Sequence, residues 1–271
     1  MSRLHFIASS STQPDLPWLI YLPGMDGTGQ LFKTQAVHLE SAFNLRCLAL
    51  PSDYLRTWDQ MVEEVLALIE LEQPCQPLYL CGESFGGCFA LKLAHRAPEL
   101  FERIVLVNPA SSFRHRSWLG WGVFLLPWVH DYLYQSSAVT FLPWLAAVER
   151  VAPSDRMALL TAMQSVPQVT SAWRLLLLRQ FQVENLDRFQ QPVLLIASGS
   201  DRLLPSVTEA AYLKQQLPQA QTVVLPESGH ACLLEQEVNL YQIFEQHDFL
   251  PQPPSALAAP LKAQERSKSS V

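Results

Sequence analysis

The chain has 271 residues, 49% of them apolar, and a formal net charge of −6. That suffices for one large domain, or one domain carrying an insertion. The acidic balance argues against nucleic acid as a partner. Five scattered cysteines (Cys47, Cys75, Cys81, Cys88 and Cys232) show no metal-ligand spacing and leave an odd count for disulfides, which favours a reducing, cytoplasmic setting.

From Met1 to Pro17 there is no apolar run of signal-peptide length. Strands are expected at Trp18-Leu22, Leu45-Leu50, Leu78-Cys81, Ile104-Val107, Val193-Ala197 and Thr222-Leu225. Most are continuous apolar runs rather than alternating ones, which marks strands covered on both faces of a parallel sheet. Helices are expected at Trp58 to Glu72, Phe85 to Arg96, Ser206 to Gln216 and Ala231 to Phe244. In the first of these, Met61, Val65, Leu68 and Ile69 fall at helical spacing. Alternating strands and helices predict an α/β fold with a mostly parallel, doubly wound sheet and right-handed crossovers.

The alternation breaks between Phe113 and Phe189. Pro127, Pro143, Pro153 and Pro167 are expected to divide this stretch into short helices. Residues 113–189 therefore read as a helical cap inserted into a core made of residues 1–112 and 190–250. Within the insertion Trp118, Trp121, Phe124, Trp128 and Trp144 are the candidates for a greasy inner face that holds a lipophilic substrate. Its longest uncharged run, Ser117 to Val129, is too short to span a bilayer, although a transient contact with a membrane surface is compatible with it. The tail, residues 251–271, is rich in Pro, Ala, Ser and charge, and is expected to be disordered.

The motif that carries chemistry is Gly82-Glu83-Ser84-Phe85-Gly86, between a strand and a helix. A serine flanked by glycines at such a junction forms a nucleophile elbow: the turn admits only small residues around it and lifts the hydroxyl above the sheet edge. Acyl transfer by Ser84 needs a base and a carboxylate to orient it, in the chain order Ser, acid, His. His230, in the loop after the last strand, and Asp201, in the loop after Val193-Ala197, meet that order at the carboxyl edge of the sheet. Asp187 precedes the same strand and lies at its wrong end, and His95 lies far along the elbow helix. The oxyanion donors are expected to be the backbone N–H groups of Phe85 and Met25, the latter in the loop Leu22-Pro23-Gly24-Met25-Asp26-Gly27. This chemistry calls for no metal or organic cofactor.

With these residues placed, the chain resembles the α/β-hydrolase superfamily. Its likeness is to the esterase/lipase/thioesterase-like group that includes plastid phytyl ester synthases and diacylglycerol-acyltransferase-like proteins. The carrying segments are Leu22 to Gly27, Gly82 to Cys88, Asn108-Pro109-Ala110-Ser111-Ser112-Phe113, Ala197 to Asp201 with Leu204-Pro205-Ser206, and Gly229-His230 with Leu233-Leu234-Glu235. The resemblance implies a serine hydrolase acting on lipid-type esters or thioesters. It also raises two alternatives: an acyltransferase that uses an alcohol such as phytol or diacylglycerol, and a non-catalytic ligand-binding relative. Plant members carry a second, acyltransferase-like domain, so the resemblance covers their hydrolase domain alone and suggests a free-standing bacterial form. The group's association with thylakoid lipids is implied by resemblance only. Glu83 stands where many hydrolases have histidine, and its carboxylate is a candidate for tuning the triad from below.

Overall fold

The computed structural model describes residues 3–9, 13–74, 77–115 and 126–251. Its elements begin with β1 (His5–Ala8), β2 (Trp18–Leu22), α1 (Lys33–Leu39), β3 (Asn44–Ala49), α2 (Trp58–Glu72), β4 (Leu78–Glu83), α3 (Phe85–Arg96) and β5 (Phe101–Val107). After β5 come α4 (Asp131–Leu145), α5 (Pro153–Gln164) and α6 (Gln168–Arg179). The chain then returns to the sheet with β6 (Val193–Ser198), α7 (Ser206–Gln216), β7 (Ala220–Leu225) and α8 (Leu240–Gln246).

The strands form one seven-stranded sheet in the order β1-β3-β2-β4-β5-β6-β7. Only the β1–β3 pair is antiparallel; the other neighbours run parallel. Every residue of β2, β3 and β6 is buried, because helices cover both faces. Ile20 and Leu22 of β2 point into one core with α2, α3, α6 and α7, while Leu19 and Tyr21 point into the other with α1 and α8. Parallel pairing brings all the β-to-α loops to one edge, so the loops after β2, β4, β6 and β7 converge there.

The expected helices Trp58–Glu72, Phe85–Arg96 and Ser206–Gln216 form with those bounds. The first is fixed by a capping box: Thr57 Oγ1 accepts from Gln60 N–H at 3.4 Å and Gln60 Oε1 accepts from Thr57 N–H at 3.1 Å. The expected helix Ala231 to Phe244 does not form as one piece. A 3-10 turn at Cys232–Leu234 is followed by the bridge residue Glu235 and a turn, and then by α8. Glu235 interrupts the helix: it bridges to Val151 through the backbone, and its buried carboxylate turns back to Gly229 N–H at 2.8 Å and the Ser228 hydroxyl at 2.8 Å.

Between β5 and β6, Pro153 starts α5 and Pro167 caps α6, as their fixed φ and missing N–H favour. Pro143, expected to separate two helices, instead lies in the last turn of α4, which ends two residues on at Leu145. Leu142, Ala146, Val151, Leu159 and Leu234 form a small core of their own under these helices. Leu177 and Leu178 of α6 join the main core. Among the described residues no helix is long and apolar enough to cross a membrane. The expected tail beyond Pro251 and the residue Cys75 lie outside the described residues.

Candidate active site

Ser84 sits between β4 and α3 with φ 55° and ψ −112°, a conformation that L-residues rarely adopt. The surrounding backbone imposes it. Ser84 N–H donates to Val107 O at 2.9 Å, and Ser84 O accepts from Gly87 N–H and Ala110 N–H, each at 3.0 Å. Gly86 permits the turn: a Cβ there would collide with the carbonyl oxygens of Leu22 and Pro23. The serine hydroxyl lies 2.8 Å from His230 Nε2, and His230 Nδ1 lies 2.7 Å from Asp201 Oδ2. The sheet thus brings together residues from the ends of β4, β6 and β7, although they are far apart in sequence.

The Asp201 carboxylate has four donors around it. Oδ1 accepts from Leu203 N–H at 2.8 Å and Leu204 N–H at 2.9 Å, and Oδ2 accepts from the Ser206 hydroxyl at 2.5 Å and faces the imidazole. Burial alone would raise its pKa, but the charge and hydrogen bond of His230, with Ser206 and Leu204, outweigh that and leave it lowered. An ionised, acceptor-only carboxylate requires Nδ1–H on the imidazole, which leaves Nε2 free to accept from Ser84 Oγ–H. His230 is 4% exposed. Burial pushes its pKa down, yet the charge and hydrogen bond of Asp201, together with the Glu83 charge, hold it above the usual value.

The first loop lies over this array. A Cβ on Gly24 would stand 3.8 Å from Ser84 Cβ, so the backbone entering Met25 passes close to the serine. Phe85 opens α3, and its buried ring stacks on Trp58 at 4.8 Å and 24°. Glu83 accepts the Tyr21 hydroxyl at 2.5 Å, and Tyr21 in turn stacks on Phe32 at 4.0 Å. Burial raises the Glu83 pKa to about 7, against the opposing hydrogen bond from Tyr21 and charge of His230.

Of the candidates for a substrate-holding face, Trp118, Trp121 and Phe124 lie outside the described residues. Trp128 is 88% exposed and Trp144 47% exposed, so both present substantial surface to solvent. Among the described residues no group of three or more His, Cys, Asp or Glu is arranged to hold a metal ion.

Sequence reasoning quoted Asn108 and Glu235 only as parts of motifs, and their work is structural support for the histidine. Asn108 is fully buried at φ 43°. Its amide donates to Ser198 Oγ at 2.8 Å and His230 O at 2.7 Å, and its Oδ1 accepts from Ser198 N–H at 2.8 Å. Glu235 holds Ser228 and Gly229 just ahead of His230 and pairs with Arg150 at 2.9 Å. The signal for Asn108 was its place straight after a buried strand, where Asn tolerates the left-handed conformation.

A family model described as serine aminopeptidase, S33 (Hydrolase_4) matches residues 52–237. The chain is 32% identical over 259 residues to phytyl ester synthase 1, chloroplastic, of Arabidopsis thaliana, an alignment that takes in 85% of this chain and 37% of that protein. The chain thus spans little more than a third of that plant relative. It is 28% identical over 251 residues to the pimeloyl-[acyl-carrier protein] methyl ester esterase of Nitrosomonas europaea, covering 86% of this chain and 95% of that protein. Its fold is shared with a thermophilic esterase from Thermogutta terrifontis, with a TM-score of 0.73 at 20% identity over 90% of this chain and 92% of the other.

Proposed function

The chain belongs to the serine aminopeptidase S33 (Hydrolase_4) family, and we propose that it is a serine-esterase-type α/β-hydrolase enzyme that cleaves lipid-type carboxylic esters or thioesters through an acyl-Ser84 intermediate. The observation that carries this reading is the hydrogen-bonded chain Ser84–His230–Asp201, at 2.8 and 2.7 Å, with the serine held at φ 55°.

In the first step His230 Nε2 takes the Ser84 proton as Oγ bonds to the acyl carbon. The carbonyl π electrons move to oxygen, and the N–H groups of Met25 and Phe85 receive the resulting oxyanion. Each such donor contributes roughly 100- to 1,000-fold in turnover. Collapse of the intermediate breaks the bond to the alcohol or thiol, which leaves with the proton held by His230. Water then enters, gives its proton to His230 and releases the acid by the same steps in reverse. Asp201 remains ionised throughout and stabilises the imidazolium.

The lipid character of the substrate is supported by α4. From Tyr132 to Val148 the sequence has no charged side chain. Tyr132, Leu133, Val139, Phe141 and Trp144, with Trp128 just before the helix, are all at least 45% exposed. A greasy, uncharged outer helix beside an esterase site suits a lipid interface. Hydrolysis of p-nitrophenyl esters from acetyl to palmitoyl tests the reading. We expect kcat/KM to rise with chain length, by up to roughly fourfold per buried methylene, since each contributes about 0.8 kcal/mol. Preference for the acetyl ester would overturn it.

A second reading is favoured by the name of the Arabidopsis relative, an ester synthase. In that reading an alcohol such as phytol replaces water as the acceptor of the acyl group. Product analysis with a long-chain acyl donor at saturating phytol decides between them: phytyl ester as the main product supports transfer, and free fatty acid as the main product removes it.

A further inference from the structure

Arg174, on α6, is 2% exposed and heads the largest fully buried side chains of the described residues. Its guanidinium enters the site from behind. Nη1 donates to Met25 O at 2.6 Å and Nη2 to Pro51 O at 3.4 Å, while Nε finds no acceptor. Gly27 makes room for it, since a Cβ there would stand 2.7 Å from Nη1 and 2.8 Å from Nη2. Burial pulls the pKa of the guanidinium down to about 10, against the nearby charges of Asp26 and Tyr134. A buried cation with one strong acceptor and one idle donor is a costly way to fill space, and an apolar side chain would serve packing better.

Docking of α6 does not need it. On the same helical face, at positions i, i+3 and i+7 from Thr170, other bonds already hold the helix. Thr170 Oγ1 donates to Ser52 O at 2.6 Å, Trp173 Nε1 to Arg56 O at 2.8 Å, and Leu177 O accepts from Trp58 Nε1 at 3.0 Å. What Arg174 adds is a hold on one peptide. Gly27 N–H donates to Gly24 O at 3.1 Å, which closes a turn with Met25 and Asp26 at its centre. Met25 and Asp26 carry the central peptide of that turn. The charge-assisted bond from Arg174 to Met25 O ties Met25, and with it the turn, to α6.

We propose that Arg174 is a positioning residue for the oxyanion hole, fixing the Gly24–Gly27 turn through the Met25 carbonyl so that Met25 N–H faces the acyl oxygen. The proposal rests on the reading of Ser84 as nucleophile and of Met25 N–H as oxyanion donor. Because a displaced turn mis-aims a donor used in the transition state, the loss of Arg174 is felt in kcat rather than in KM.

The test compares wild type, Arg174→Gln and Arg174→Lys on a p-nitrophenyl ester, with inhibition by an alkyl trifluoromethyl ketone and by the product carboxylic acid. The ketone forms a hemiketal oxyanion on the serine; the acid does not. The expected result in Arg174→Gln is a kcat lower by roughly 10- to 100-fold, with KM within about twofold and ketone binding weakened by the same factor as kcat. Binding of the carboxylic acid stays unchanged. Arg174→Lys, which keeps the cation but loses the planar fork of the guanidinium, falls between the two. A wild-type kcat and wild-type ketone binding in either variant that folds would overturn the role of Arg174. So would a loss spread equally over kcat, KM and both inhibitors. Fluorophosphonate labelling of the wild-type protein keeps the premise separate: absence of a Ser84 adduct overturns the nucleophile reading itself, whereas a normal adduct with an unaffected Arg174→Gln overturns only the positioning role.

Discussion

Glu83 Oε2 accepts the Tyr21 hydroxyl at 2.5 Å, which fixes a buried carboxyl one residue ahead of Ser84 and within electrostatic reach of His230. The Glu83 charge is one of the influences that raise the His230 pKa. Esterase turnover needs neutral His230, so Glu83→Gln should move the acid limb of kcat/KM to lower pH. A pH–rate profile of the two proteins checks this. An unmoved limb, or one moved upward, would remove Glu83 from the tuning of the triad.

The same residue predicts a dependence of stability on pH. Burial raises the Glu83 pKa from an ordinary carboxylate value to about 7. Between those values the folded chain binds more protons than the unfolded chain, so the stabilising contribution of protonated Glu83 is lost as pH rises towards 7. Glu83→Gln should therefore gain stability relative to wild type as pH is raised from about 4.5 to about 7, and the gain should then level off. Urea titrations at several pH values measure it; a difference that does not change with pH would contradict the burial argument.

Asp201→Asn keeps the shape of the acid but not its charge. The imidazole then loses the partner that fixes Nδ1–H, at 2.7 Å in the wild type. The expected loss in kcat is on the order of 10,000-fold, with the fold retained by circular dichroism. Retention of more than about a tenth of the activity would exclude Asp201 as the orienting acid.

Asn108→Ala removes the buried hydrogen bonds that tie the end of β5 to Ser198 at the end of β6, to His230 O and to Cys232 Sγ. Leaving those groups unsatisfied should cost roughly 2–4 kcal/mol of stability. Because one of them is the carbonyl of His230, kcat should fall as well. Thermal unfolding with kinetics at the same temperature checks both, and a change below about 0.5 kcal/mol would show that the clamp contributes little.

The fold was legible where one signal dominates. The buried strands are unbroken apolar runs, and α2 is bracketed by Thr57 and Gln60. β1 was not legible: its four residues lie on an antiparallel edge, and only Phe6 is not exposed. α1, at Lys33–Leu39, escaped notice because only Gln35 and Leu39 are buried, too few to set a period. The chain after His230 read as one helix because its apolar residues are dense, but Glu235 spends its carboxylate on Ser228 and Gly229 and breaks the helix there. At the site, Ser84, Asp201 and His230 were legible because each lies at the end of a recognisable strand. Arg174 was not, since it sits beside the run Leu175 to Leu178 and acts through a fold-dependent contact with Met25.

Every chemical step proposed above runs through the Ser84 hydroxyl. Intact-mass analysis after treatment with an alkyl fluorophosphonate, followed by peptide mapping, addresses it most directly. We predict one adduct per chain, on Ser84, with none on Ser84→Ala and slow labelling of His230→Ala. Wild-type protein that is folded yet unlabelled, or Ser84→Ala labelled as fast as wild type, would contradict the acyl-serine mechanism.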